Sequence, residues 1–343
     1  FTNELQSLIS KRTEQLELIL KNLGKATISR RRLLLKLGAA AGVVAATGGA
    51  ALWITRKREK IPVNLLKRDI ELPFVEPNFG PVTIQEVNKA IYTEGNYKNA
   101  KYIVIIPHST ELNGIEAARA VGKGPITYVT GNNDRNLILR NNGQLFQIDP
   151  NNAFCTPGLV TCFNRLNGQW NSLSQESKNY VLQAIQKFTD EVSRRIFAGK
   201  MILALHQNTQ GNFGIKSYRN EPRFAIFAEE VFINTNERND DFAYVNTRGW
   251  FEVLKREGWN VVLQKNDRSI DDGSISYAST WRSLPYVNIE VQIGDARKQA
   301  EMIQIVNEFL EDYPQLAYDM NFVPPYDPLM RWSRFEKDVR DGR

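Results

Sequence analysis

Two short apolar runs, Tyr102-Ile103-Val104-Ile105-Ile106 and Met201-Ile202-Leu203-Ala204-Leu205, do most to limit what this chain can become. Five consecutive apolar residues without polar alternation suit a strand covered on both faces, and strands of that kind belong to sheets flanked by helices. The first run leads through Pro107 to His108 and the second directly to His206; the 343 residues contain no other histidine. Ligands of open α/β sheets gather at the carboxyl ends of strands, which is where both imidazoles fall.

The surrounding pattern is α/β. Apolar spacing predicts helices over 114–121, 174–197 (with Ser174 as N-cap), 247–256 and 296–310. Further strands are expected at 126–129, 145–148, 224–227, 261–263 and 286–291.

Three residues after His108, in His108-Ser109-Thr110-Glu111, stands a carboxylate. A lone histidine after a strand is ordinarily a satisfied structural residue. Two of two in equivalent places, one with a carboxylate three residues on, argue for a metal. His108, Glu111 and His206 would supply three ligands to one ion per chain, leaving a fourth position open, and that donor set suits Zn2+ among the divalent ions. A hydrolytic zinc site also needs a general base and a positive partner for the developing oxyanion. In Tyr286-Val287-Asn288-Ile289-Glu290-Val291-Gln292 alternation puts Asn288, Glu290 and Gln292 on one face, so Glu290 is the best-placed base. Read by itself, the same alternation describes a strand whose polar side meets water.

The ordered set His108-x-x-Glu111, then Asp149-Pro150-Asn151-Asn152-Ala153-Phe154, then His206 after a strand and Glu290 on a late strand resembles the zinc carboxypeptidase clan. Its succinylglutamate desuccinylase/aspartoacylase-like branch is nearest in ligand spacing. The resemblance spans about residues 100 to 312. It implies a three-layer α/β/α sandwich around a mixed, largely parallel sheet, zinc held by His108, Glu111 and His206, and water activated by Glu290. It also implies hydrolysis of peptide or acyl-amide bonds next to a carboxylate, with Asn151 and the position of Asn152 at the substrate. The family pattern has Arg where this chain has Asn152, and an amide cannot replace a fixed charge gripping a carboxylate. Arg135 or Arg140 could serve as the family's carbonyl-polarising Arg, and Arg165 could reach back towards Asn152 if Cys155 and Cys162 close the loop between them.

Charge and hydropathy separate the N-terminal part from the rest. Residues 1–60 hold 12 Lys/Arg against 4 Asp/Glu, while the remaining 283 hold 32 against 34, so the α/β part lacks the basic balance of a nucleic-acid binder. The run 33–54, rich in Gly and Ala, would span about 33 Å as a helix, enough for a membrane. Ser29-Arg30-Arg31-Arg32-Leu33-Leu34-Leu35-Lys36 before it resembles a twin-arginine signal. An ordinary basic-flanked signal-anchor is the alternative.

The expected organisation is an amphipathic helix in 1–28, a twin-arginine-like signal or transmembrane anchor in 29–55, a proline-bearing linker in 56–83, the α/β domain in 84–312 and an irregular tail in 313–343. That describes a single-pass membrane protein with an extracytoplasmic zinc hydrolase domain acting on a small amide or peptide. The alternative is a catalytically impaired subunit of a membrane complex, joined through the N-terminal helix and the tail. Gly-x-Ser-x-Gly, Gly-Lys-Ser/Thr phosphate-loop and His-Glu-x-x-His motifs are absent, which removes other common hydrolase types.

Overall fold

The computed structural model describes residues 79–131, 134–211 and 213–325, all within the second of two compact units, Leu72–Arg343. The expected amphipathic helix, signal or anchor, most of the linker and the tail beyond 325 lie outside the described residues. Among the described residues no helix is long and apolar enough to cross a membrane.

In chain order the elements begin with β1 Val82–Ile84, β2 Lys89–Glu94, β3 Tyr102–Ile106, α1 Leu112–Val121 and β4 Ile126–Gly131. A hairpin, β5 Leu137–Asn141 and β6 Gln144–Ile148, precedes α2 Thr156–Asn167 and α3 Gln175–Ile196. The second half runs β7 Met201–Asn208, β8 Ala228–Phe232, β9 Phe242–Val245, α4 Arg248–Arg256, β10 Val261–Gln264, α5 Ile275–Thr280, β11 Tyr286–Gln292 and α6 Ala296–Asp312.

Nine strands form one mixed sheet in the order β1-β2-β4-β3-β7-β11-β9-β10-β8. Its centre, β4-β3-β7-β11, is parallel throughout. Strands β2, β9 and β10 run against that direction, so six of the nine point one way. The fold is therefore α/β on a large mixed sheet, most of whose strands share a direction.

Alternation along the central strands feeds a separate apolar core on each face. Val104, Ile106, Leu203, Leu205, Val287 and Ile289 pack with residues of α1, α4 and α6 on one side. Ile103, Ile105, Ile202 and Ala204 pack with α2, α3 and the β5–β6 hairpin on the other. His206, following Ala204 by two, and Glu290 belong to this second face.

One expectation fails for a local reason, and one pairing that the sequence left open does not form. Residues 224–227 were expected as a strand, but Pro222–Ala225 is a helical turn with Pro in its first turn, and the strand starts at Ala228. Cys155 and Cys162 are free thiols. Cys155 caps α2 and Cys162 lies two turns along it, a rise of about 10 Å that no disulfide spans.

Candidate metal centre

The centre lies at the carboxyl side of the central strands: His108 follows β3, whereas β7 runs on to Asn208 and β11 to Gln292, so that His206 and Glu290 lie within the last three residues of their strands. After β3, Pro107 leads into a turn in which Glu111 N–H donates to the His108 carbonyl at 3.1 Å, and α1 starts at Leu112. The first turn of α1 lies tight on β3 and β7: a Cβ added to Gly114 would stand 3.2 Å from Ile106 Cγ1 and 3.3 Å from Leu205 Cβ. That close approach draws Glu111 over the end of β7, where His206 sits. Ligand atoms of His108, Glu111 and His206 all fall within 4.8 Å of one another, and all three residues are buried. Sequence spacing had named this triad, and the fold assembles it.

The outer partners decide which atoms are left for a ligand. His108 Nε2 is 3.0 Å from Asp149 Oδ1. A carboxylate only accepts, so Nε2 carries a hydrogen, and Nδ1 is the atom a metal would take in place of a proton, the usual carboxylate–histidine–metal arrangement. Glu111 Oε1 accepts from Arg135 Nη1 at 2.7 Å and from the Gln207 N–H at 3.4 Å. Glu111 Oε2 is left 3.0 Å from His108 Nδ1 and 3.5 Å from His206 Nδ1, without a directed hydrogen bond. Among the described residues six buried side-chain polar atoms lack a partner, and three of them are His108 Nδ1, Glu111 Oε2 and His206 Nε2. Each such orphan costs about 1–3 kcal/mol. A cation among these donors would remove that cost, so the residues fit a metal.

Charge follows the same geometry. Burial opposes ionisation of Glu111, yet the imidazoles of His108 and His206 outweigh it and hold its carboxyl well below the usual range. His108 is penalised by burial, but the charges of Glu111 and Asp149 prevail over it and over Arg135, raising its pKa to about 9. Asp149 is half-buried, and against the burial penalty His108, Arg135 and the Asn151 N–H hold its carboxyl far down.

Glu290 stands in parallel register with His206 across the β11–β7 ladder, on the same face. It is buried and accepts from Asn288 Nδ2 at 3.0 Å, so the polar side of β11 does not meet bulk water. Flanking strands β7 and β9 make β11 central, which overrides the reading of a solvated amphipathic strand.

Of the two candidate arginines only Arg135 reaches the triad, through Glu111, with its side chain 46% exposed. Arg140 lies on the exposed end of β5 opposite Leu145, away from the triad. A clamp fixes the Arg135 segment: buried Lys89 donates from Nζ to Ser109 Oγ at 2.9 Å and to the Asp134 carbonyl at 2.6 Å. Ser109 Oγ itself donates to the Asp134 carbonyl at 2.7 Å. Burial pushes the Lys89 pKa down, with Asp134 opposing.

Asn151, Asn152 and Arg165 gather one step away, round Asp149. Asn151 Oδ1 accepts from the Ile275 N–H at 3.3 Å, so it ties down the 271–275 loop. Asn152 Nδ2 donates to both the Asp272 carbonyl and Asp272 Oδ2 at 3.3 Å, while Asn152 Oδ1 accepts from Arg165 Nη2 at 3.3 Å. Arg165 reaches this point without a disulfide, because α2 carries Cys162 and Arg165 on one side, their Sγ and Nη2 atoms 3.8 Å apart. Its side chain is 60% exposed and 4.0 Å from Asp149 Oδ2. Sequence reasoning quoted Asp149 but missed its grip on His108, and it missed Asp272 altogether. Asp-Asp-Gly reads only as a turn.

No family model matches the chain, and no curated protein matches it. Among solved structures it is similar to an archaeal homolog of proteasome-assembly chaperone from Pyrococcus furiosus, at 14% identity over 73% of this chain and 95% of that one. The TM-score is 0.26, too low for the likeness to bear on fold or function.

Proposed function

We propose that this chain is a zinc-dependent amide hydrolase of the zinc carboxypeptidase type, acting on a peptide, a cell-wall fragment or an N-acyl amino acid. One observation carries the reading: His108, Glu111 and His206 bring ligand atoms within 4.8 Å of one another in a buried cluster, each residue has a buried polar atom without a hydrogen-bond partner, and Glu290 stands in register beside His206. Helices on both faces of the mixed sheet support the three-layer α/β/α arrangement that the resemblance implies.

Zinc held by the triad supplies a Lewis acid and lowers the pKa of water. Glu290 takes a proton from the attacking water as hydroxide adds to the carbonyl carbon, then returns it to the amide nitrogen as the C–N bond breaks. Arg135, with one of its five N–H donors on Glu111, offers the others to the oxygen that gains negative charge. Asp149 keeps His108 in the tautomer that presents Nδ1.

The alternative, a subunit that holds metal without turnover, draws on Asn152 standing where the family has Arg. Arg165 beside Asn152 Oδ1 weakens that argument, since a guanidinium is present after all. Membrane attachment through 33–54 and an extracytoplasmic catalytic domain complete the proposal, on sequence grounds.

Elemental analysis of purified protein tests the metal, with about one zinc per chain expected; a metal-free wild type sinks both readings. Hydrolysis of a panel of peptides and N-acyl amino acids then separates them. Turnover that Glu290→Gln abolishes favours the enzyme, and zinc without any Glu290-dependent turnover favours the subunit.

A further inference from the structure

Glu290 and Asn288 are joined by a hydrogen bond that neither shares with any other group. Asn288 Nδ2 donates to Glu290 Oε1 at 3.0 Å. Among the described residues Glu290 Oε2 has no hydrogen bond or ion pair, and Asn288 Oδ1 is a buried acceptor without a donor. Both residues are buried, Asn288 at 8% exposure and Glu290 at 7%. They are two apart on β11 and so share one face.

Packing alone does not account for an asparagine at position 288. Strand β11 lies between β7 and β9, and at this row its neighbours are Ala204 and Tyr244. Asn is depleted in strands, and an amide buried with one end unmet is costly, so an apolar side chain would serve a central strand better. The amide cannot relieve its orphan by turning round, because Oδ1 would then face the Glu290 carboxylate, acceptor against acceptor. The fold thus keeps a half-satisfied amide whose one partner is Glu290, and departures of this kind from local rules gather at functional positions. The ladder explains what such an amide is for. It sets the backbone of position 290 beside His206, but the carboxylate ends a flexible side chain whose last torsion is broad. A general base has to meet the proton it takes at about 2.6–3.2 Å, which the backbone by itself does not ensure.

We propose that Asn288 is a positioning residue for Glu290. Its amide pins Oε1 and so leaves Oε2 as the oxygen that meets the attacking water. Oε2 takes the proton from that water and later hands it to the amide nitrogen, while Oε1 stays on Asn288 throughout. Asn288 lies two residues back from Glu290 towards the amino end of β11, away from the carboxyl edge, so it acts through Glu290. The inference rests on the hydrolase reading above for the role of Glu290.

Steady-state kinetics on the zinc-loaded full chain test it, with a peptide that the wild type cleaves. Asn288→Leu keeps the volume, removes the donor and removes the unmet oxygen with it. It should lower kcat by about ten- to a hundredfold, as for a misplaced catalytic group, with KM within about twofold. Zinc content should be unchanged and the melting temperature should not fall, whereas a merely structural role would lower stability and activity together. Asn288→Ala should lower kcat to a similar extent and serves if the leucine does not fit. In a Glu290→Gln background neither substitution should reduce the residual hydrolysis further, because no base is left to place. An unchanged kcat, a loss that appears in KM instead, or the same fractional loss in the Glu290→Gln background overturns the proposal and leaves the hydrolase reading standing. A wild type that cleaves nothing overturns both.

Discussion

The candidate metal centre has two halves that are held in different ways. His206 and Glu290 stand on adjacent parallel strands in the middle of the sheet, and the backbone ladder alone sets their separation. His108, Glu111 and Arg135 stand on segments that leave the sheet, and they depend on added ties: Asp149 on His108, Gly114 against Leu205, and the Lys89–Ser109–Asp134 clamp next to Arg135. Strand-borne chemistry is placed by the fold, whereas loop-borne chemistry is placed by side chains. Substitutions of His206 and Glu290 should therefore act only through the functional group removed, and substitutions in the second half also through the support removed.

The largest effect expected is common to both halves. His108→Ala and His206→Ala should each lower bound zinc from about one per chain to near zero, read by elemental analysis; full retention in either variant breaks the triad. Glu290→Gln should then leave zinc in place and cut hydrolysis by about a thousandfold, within the range for removing a general acid–base. A loss of metal in that variant would show that the strand half is not independent of its side chains. Arg135→Ala should cost about a hundredfold in kcat, as for loss of an oxyanion donor, while Arg140→Ala stays within about twofold. Equal effects of the two would contradict their placement. Asp149→Asn should weaken zinc binding by about 10- to 100-fold, measured by competition with a chelator, because it removes the partner that orients His108.

The smallest expected effect is a pH dependence, and its sign follows from His108. In the metal-free chain this imidazole has a folded pKa of about 9, above its ordinary value of 6.5. The stability this contributes is full below pH 6.5 and is lost as pH rises through about 9. Zinc requires the neutral ring, so its binding should release a proton and tighten over the same interval. The melting temperature of the metal-free protein should thus fall, and the rise on adding zinc should grow, between pH 6.5 and 9. A zinc-induced shift that is flat across this window would count against His108 as a ligand.

Much of the strand half could be read from the sequence. Continuous apolar runs mark β3 and β7 as central strands, and central parallel strands deliver His108 and His206 to one edge. The register of Glu290 with His206 could not be read, because pairing is set by which strands become neighbours, and β11 joins β7 from 78 residues further along the chain. Loop residues were harder. Arg135 and Arg140 look alike five residues apart; the hairpin separates them by burying Leu137 and Leu139 and leaving Arg140 outside. Helix α2 was hidden behind Thr156-Pro157-Gly158, which reads as a turn, and so Cys155 and Cys162 looked free to pair. Asp272 gave no signal, since its role depends on α2 packing against its loop through Gly158.

The ladder that holds His206 beside Glu290 also shapes how such a protein can change its trade. Because the backbone, not the side chain, keeps position 290 next to His206, one codon would separate the proposed base from a silent residue, and the fold would survive the step. A lineage built on such a ladder could pass from hydrolase to metal-stabilised subunit without rebuilding anything; this chain has Glu at that position. A return would be equally short. The sheet works as a socket whose fitting can be changed.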